Sequence, residues 1–196
     1  PFSNYNIVVI DKQFNQNSSV SFINTNVSRS GNFRDANVTG LLADITNKRN
    51  TYNVEGQIKM SYITKQDGTT TKGYSTNASI EKTHGNFRYG IEHEYTDTNY
   101  DINDIGLLFR NNFNNVGIDV SYRTFTPTKN LNNYRINSWF NYRRLASPNV
   151  YTGGSTGIRY RGTTKTLHSF GASVNYNFGK PIGQGVPPKI IYNPRF

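Results

Sequence analysis

Two carboxylates, Glu92 and Glu94, are separated by a single residue, so an extended chain places both on the same side of one strand. Paired carboxylates are the groups that general acid–base catalysis and glycoside hydrolysis require. Arg88 falls on the same side of the same strand. Charges in that arrangement are more typical of a surface facing water, and we therefore predict no catalytic role for the pair.

The remaining reactive groups form no recognisable catalytic or metal-binding motif. His84, His93 and His168 are widely spaced, and no HExxH pattern occurs. The Gly-rich segment 153–157 has neither the Lys nor the strand-to-helix context of a phosphate loop. A lone aromatic, Trp139, could stack on a sugar, and there is no cysteine. We predict no enzyme activity, no metal site and no cofactor.

The elements that carry these residues show a strict period of two. In segment 115–124, aliphatic and aromatic residues alternate with small or charged ones, as expected of a strand with one apolar and one wet face. The same pattern recurs in segments 52–62, 74–81, 87–96, 134–142 and 169–178. Less regular strands are predicted at 6–14, 20–27, 38–45 and about 105–111, with one more around Ile158 and Tyr160, for about ten to twelve in all.

Strand length and charge favour a membrane barrel over a soluble fold. Several segments keep their phase for ten residues or more, whereas strands of soluble sandwiches average about five or six. Aromatic residues fall near strand ends, as in the interfacial girdles of outer-membrane barrels. We predict an all-β, antiparallel transmembrane β-barrel of the outer-membrane type over residues 1–179, possibly part of a larger barrel. A soluble β-sandwich or jelly roll is the alternative.

The polar faces of the predicted strands would line the lumen of such a barrel. Full charges there need water, since burying them in a dry core is very costly. The candidate lumen-lining residues are Glu55, Lys59, Arg88, Glu92, Glu94, Asp119, Arg123, Arg135, Trp139 and Arg143.

Composition narrows the remaining classes. Hydrophobic residues make up 34% of the 196 residues, and no apolar run approaches the roughly 18 to 20 residues of a membrane helix. The net charge is +10, but the cations are dispersed rather than gathered into a nucleic-acid surface. We predict no nucleic-acid partner and interpret the charge as a hydrated lumen and lipid-facing loops. A dedicated anion path is the alternative.

Several segments resemble the C-terminal barrel of a Bacteroidota outer-membrane family of unassigned activity, in which a carbohydrate-binding-module-like domain precedes the barrel. The most distinctive is Tyr-Asp-Ile-Asn-Asp-Ile-Gly at 100–106. The closing Val-Asn-Tyr-Asn-Phe-Gly-Lys at 174–180 resembles a last barrel strand whose terminal aromatic serves assembly. The resemblance extends to Asp-Lys-Gln-Phe at 11–14, Ser-Ser-Val at 18–20 and Asn-Val-Thr-Gly-Leu at 37–41.

Two features depart from that family pattern. The carbohydrate-binding-like domain is absent, and the chain begins at Pro1 without a leader, so we expect a processed chain or a piece of a longer protein. A Pro-rich extension, 180–196, follows the last predicted strand, which leaves Phe178 and Phe196 as candidates for the terminal aromatic.

The resemblance implies a location in the bacterial outer membrane, with lipid and lipopolysaccharide as partners and possibly other envelope proteins in a complex. It supplies no substrate, because a fold alone fixes no function. We expect a barrel for transport or secretion, or an anchor for an envelope assembly, without catalysis of its own. A glycan-binding or hydrolase-associated envelope protein is the alternative.

Overall fold

The computed structural model describes residues 2–104 and 108–179, and these form one antiparallel sheet in which each strand pairs with its neighbour in sequence. The sheet is open, with β1 and β10 at its edges. The strands are β1 (Ser3–Phe14), β2 (Ser18–Arg29), β3 (Asp35–Thr46), β4 (Tyr52–Thr64), β5 (Thr70–Lys82), β6 (Phe87–Thr96), β7 (Phe113–Arg123), β8 (Leu131–Arg144), β9 (Tyr151–Thr164) and β10 (Ser169–Phe178).

The predicted all-β, antiparallel class is confirmed, and the number of strands falls within the expected range. The strands are 10 to 14 residues long, about twice the usual length in soluble proteins. No helix among the described residues is long and apolar enough to cross a membrane.

The strand predicted at about 105–111 is wrong over its described residues, whereas the strand predicted around Ile158 and Tyr160 is confirmed but longer than predicted. No strand occurs in residues 108–111, which belong to a long β6–β7 loop; the rest of that predicted strand, 105–107, lies outside the described residues. The segment around Ile158 and Tyr160 is part of a strand that begins at Tyr151 and takes in the Gly-rich stretch. Its glycines hide the alternation, because aromatic rings occupy the space that their side chains would fill: Phe178 covers Gly154, and Trp139 covers Gly157.

The irregular alternation of β1 to β3 does not come from bulges. Their pairings run without a register shift, whereas shifts occur between β8 and β9. Apolar residues simply lie on both faces of these strands: Ile7 and Val9 are on one face of β1, and Val8 and Ile10 are on the other.

From β4 to β10 the sheet has an apolar face and a polar face. We call the end of the sheet with the β6–β7 loop the loop end, and the opposite end the turn end. The middle of the apolar face is aliphatic and exposed, with Ile58 at 61% and Val174 at 69% exposure. Aromatic residues flank this band. They are Tyr52, Phe87, Tyr89, Tyr122, Tyr134, Tyr160 and Phe170 toward the turn end, and Tyr62, Tyr74, Tyr95, Tyr142, Tyr151, Tyr176 and Phe178 toward the loop end.

The rings of these two aromatic belts contact one another across strands. At the turn end, Tyr122, Tyr134, Tyr160 and Phe170 form a continuous series with centroid separations of 5.9, 6.1 and 5.8 Å. At the loop end, Tyr142 stacks on Tyr151 at 5.0 Å. Such contacts stabilise neighbouring strands beyond the area they bury.

The hydrophobic core of the described residues is small. Its one cluster consists of Val27, Ala36 and Ile63, which lie on the polar-face side of β2, β3 and β4 near the loop end. The C-terminal extension predicted at 180–196 lies outside the described residues.

Candidate functional site: a polar sheet face covered at one end by a loop

The strand register places all the predicted lumen-lining residues on the same face of the sheet. Residues paired across antiparallel strands point to the same side, and the pairings connect these positions from strand to strand. In one such row, Asp119 pairs with both Gly90 and Trp139. In another, Arg123 pairs with Arg135. That this face lines a lumen stays a prediction.

The two carboxylates of β6 are held by amides of neighbouring strands. Asn77 Nδ2 donates to Glu92 Oε1 at 2.8 Å, and Asn115 Nδ2 donates to Glu94 Oε2 at 3.4 Å. Arg88 donates instead to the carbonyl of Gly85 at 3.2 Å. The structure therefore presents Glu92 and Glu94 as separately solvated charges of a polar face.

Charge is unevenly distributed over the polar face. Six of its carboxylates lie on β3 to β7, and they are Asp44, Glu55, Glu81, Glu92, Glu94 and Asp119. A seventh, Asp11, lies on the same face of β1. Five of its cations lie on β7 to β9, and they are Arg123, Arg135, Arg143, Arg159 and Arg161. The Trp139 ring is packed over Gly157 and has the Arg159 guanidinium 5.6 Å from its centroid, so a cation already contacts the ring that could have stacked on a sugar.

The described residues of the β6–β7 loop, 97–104 and 108–112, lie over the polar face at the loop end. Tyr100 is 3% exposed, and its backbone lies directly above Gly73 of β5, where a side chain at position 73 would overlap it. The backbone N–H of Asp101 donates to Ser61 Oγ on β4 at 3.1 Å. A glycine at 73 is what allows this close backbone approach.

Two arginines bind the loop residues that lie farthest from β6: Arg29 is the last residue of β2, and Arg34 lies in the β2–β3 turn. Arg34 Nη2 pairs with Asp101 Oδ2 at 2.8 Å and with Asp104 Oδ2 at 2.7 Å, while Arg29 Nη2 pairs with Asp104 Oδ1 at 2.9 Å. Asp101 and Asp104 are 9% and 7% exposed. The loop thus spans the polar face from β6 to the β2–β3 turn, and its buried carboxylates are paired, as such groups must be.

Burial and charge shift the pKa of two loop-end groups. Burial alone would lower the pKa of Arg34, but the hydrogen bonds and negative charges of Asp101 and Asp104 outweigh it and raise that pKa. Burial raises the pKa of the Tyr100 phenol to about 12. Both groups therefore keep one charge state, cationic and neutral respectively, throughout the physiological range.

One carboxylate and two side-chain amides hold the rest of the described loop residues in place. Asp97 Oδ1 accepts from the backbone of Asn99 and Tyr100 at 2.9 and 2.7 Å, and Asn111 Nδ2 donates to the Thr98 carbonyl at 2.7 Å. Asn112 exchanges two hydrogen bonds of 2.8 Å with the backbone of Ser147 in the β8–β9 turn. The loop is therefore anchored to turns on both sides of β6 and β7.

Sequence reasoning missed this loop arrangement. The signal in the sequence is charge alone: segment 97–104 contains three aspartates, and Arg29 and Arg34 carry the complementary charge. Nothing in the periodicity connects segments so far apart in sequence. Among the residues that the structure describes, no group of three potential metal ligands occurs.

Comparison with known proteins yields one family match. No curated protein and no solved structure matches the chain. A family model described as "Domain of unknown function (DUF5916)" matches residues 1–182, nearly the whole chain. The chain therefore belongs to the DUF5916 family.

Proposed function

We propose that this chain forms part of the wall of an outer-membrane β-barrel and that its polar face lines an aqueous passage for transport or secretion. One observation carries the proposal: an aliphatic band between two aromatic belts on one face, with ionised side chains on the other. Lipid outside and water inside satisfy both faces at once.

The dimensions of the band support this reading. Tyr134 and Tyr142 mark the two belts on β8 and are eight residues apart. That separation is about 27 Å along a strand, or about 20 Å along the barrel axis at the usual strand tilt, close to the apolar height of about 25 Å in outer-membrane barrels. Only five hydrophobic residues of the described part are buried, three of them in one cluster. In an aqueous environment, hydrophobic burial would therefore stabilise so large a sheet only weakly.

The turn end carries charge suited to phosphate-bearing lipid. Its turns contain no Asp or Glu, and they contain Lys48, Arg49, Lys129 and Lys165. Cations at a membrane surface are attracted to anionic headgroups. This pattern supports lipid and lipopolysaccharide as the surroundings of the chain.

The β6–β7 loop supports passage rather than a purely structural barrel. It lies on the polar face and is held there by paired charges, so it would narrow the lumen at the loop end. Loops with such contacts define what enters a barrel, because pore size and lining charge determine selectivity.

Anchoring of an envelope assembly is the second candidate. It is favoured by β1, where Ile7 and Val9 expose 66% and 59% of their surface on the polar-face side. Apolar patches of this kind are typical of contact surfaces. Retention of co-purifying envelope proteins, and its loss in Ile7→Asn, would distinguish anchoring from passage.

The proposal is tested with single cysteines at Val120 and Ser121, adjacent residues on opposite faces of β7. Each is labelled with a fluorophore in the reconstituted protein and exposed to a quencher carried on lipid chains. We expect quenching of the label at 120 and little at 121. Equal protection of both labels from lipid would contradict a membrane barrel, and glycan binding by a soluble β-protein would then be the function to test.

A further inference from the structure

Three arginines lie in one row across the polar face near the turn end. Arg123 on β7 pairs directly with Arg135 on β8, and Arg135 pairs directly with Arg161 on β9. Neighbouring strands are about 4.8 Å apart, so the row spans about 10 Å. Like charges placed directly opposite one another destabilise a sheet, and stability therefore does not account for this arrangement.

No carboxylate within the described part of the chain pairs with this arginine row. The ion pairs found there all lie at the loop end. The Nε of Arg123 is buried and finds no hydrogen-bond acceptor among the described residues, while its guanidinium stacks on Phe125 at 4.7 Å. The side chains of Arg135 and Arg161 likewise make no hydrogen bond or ion pair within the described part of the chain.

Small and polar residues leave room in front of the row. Gly171 of β10 pairs with Arg161. A cavity at this point is lined by the polar residues Arg135, Arg161, Asn133, Thr163 and Ser169, together with Phe170 and the glycines at 162 and 171. Strands β8, β9 and β10 carry no Asp or Glu, and Asp119, which shares β7 with Arg123, lies four residues from it. A negatively charged solute would therefore meet hydroxyl, amide and guanidinium donors here.

We propose that the arginine row binds a soluble solute that carries two or more phosphate groups. Arg matches phosphate oxygens with two parallel N–H donors, and a row spanning about 10 Å suits several phosphates in series rather than one. The proposal deepens the proposed function, on which it rests for the location of the row in an aqueous lumen, by naming the solute class.

Binding of inorganic tripolyphosphate to the detergent-solubilised protein, measured by calorimetry, tests the row. Arg135→Gln and Arg161→Gln should each weaken binding at least about tenfold, since loss of one charge-assisted contact is commonly worth that much. Arg143→Gln is the matched control, because it removes the same charge from the same face of β8 at the loop end. It should leave the affinity unchanged. A variant that fails to fold is replaced by Arg161→Lys, which keeps the charge and should still lose several-fold.

Two further binding measurements distinguish a soluble polyphosphate from a single phosphate and from a lipid headgroup. Orthophosphate should bind more weakly than tripolyphosphate. Short-chain phosphatidate, below its micelle concentration, should bind no better than orthophosphate. Three results would overturn the proposal. They are absence of tripolyphosphate binding, weakening of binding by Arg143→Gln equal to that of the row variants, and binding at the row that prefers phosphatidate. These results need no bilayer, so they are independent of the lipid-quenching test at Val120 and Ser121.

Discussion

Gly73 is the residue on which the inward position of the β6–β7 loop depends most directly. We expect Gly73→Ala to push the loop off the polar face, because even one methyl group would overlap the backbone at Tyr100; overpacking of this kind costs about 1–3 kcal/mol. Tryptic cleavage at Arg110, inside the loop, should become faster. Gly56→Ala is the control, since an added methyl meets nothing there, and equal cleavage rates in the two variants would contradict the assignment.

Tyr100 gives the loop a pH dependence. Because burial raises its pKa to about 12 from an ordinary value of 10.0, the neutral phenol is favoured in the folded loop. Its contribution to stability is fully present below about pH 10 and is lost as the pH rises through about 12. A fluorophore at Phe109→Cys, an exposed loop position, should report loop release in that window.

The matched variant for this titration is Tyr100→Phe. It keeps the ring and removes the ionisable group, so the transition of the reporter between about pH 10 and 12 should disappear even though the other tyrosines still titrate. A transition that persists unchanged in Tyr100→Phe would show that another group governs release of the loop.

At the scale of the element, Asn112 joins the loop to the β8–β9 turn through two hydrogen bonds with Ser147. We expect Asn112→Gly to lower the opening free energy of the loop by about 1–3 kcal/mol, the net contribution of two hydrogen bonds at about 0.5–1.5 kcal/mol each. Gly tolerates the positive φ of 60° at this site, so the substitution removes the side-chain amide without adding backbone strain. Hydrogen exchange of loop amides should accelerate accordingly, and unchanged exchange would mean that the arginine pairs alone hold the loop.

The strands were predictable and the loop was not, for a physical reason. Alternation such as that of 52–62 or 115–124 is local, and it follows from a sheet with lipid or core on one side and water on the other. The alternation does not predict a strand where glycines replace side chains, as at Gly154 and Gly157. It is also lost where both faces of a strand are apolar, as in β1. The contacts of Asp101 and Asp104 with Arg34 join segments some 67 to 70 residues apart, which no periodicity encodes.

At the scale of the whole molecule, the polar face separates its charges. Most of its carboxylates lie on β3 to β7, and most of its arginines lie on β7 to β9. Opposite charges on opposite walls of a lumen would orient a dipolar or charged solute as it passes. In the proposed passage, the loop at one end and the arginine row toward the other would be two successive points of selection along the same face.

Two serines on opposite faces test the membrane placement of the entire sheet. Ser138 lies on the apolar face of β8, midway between Tyr134 and Tyr142, and Ser79 lies on the polar face of β5 between Glu55 and Glu92. In a bilayer, Ser138→Lys should reduce the free energy of unfolding by about 2–4 kcal/mol, the cost of a cation at the midplane. Ser79→Lys should cost little, because its ammonium faces water and two carboxylates. Urea unfolding from lipid vesicles measures both variants, and equal destabilisation of the two would mean that the apolar face is not covered by lipid.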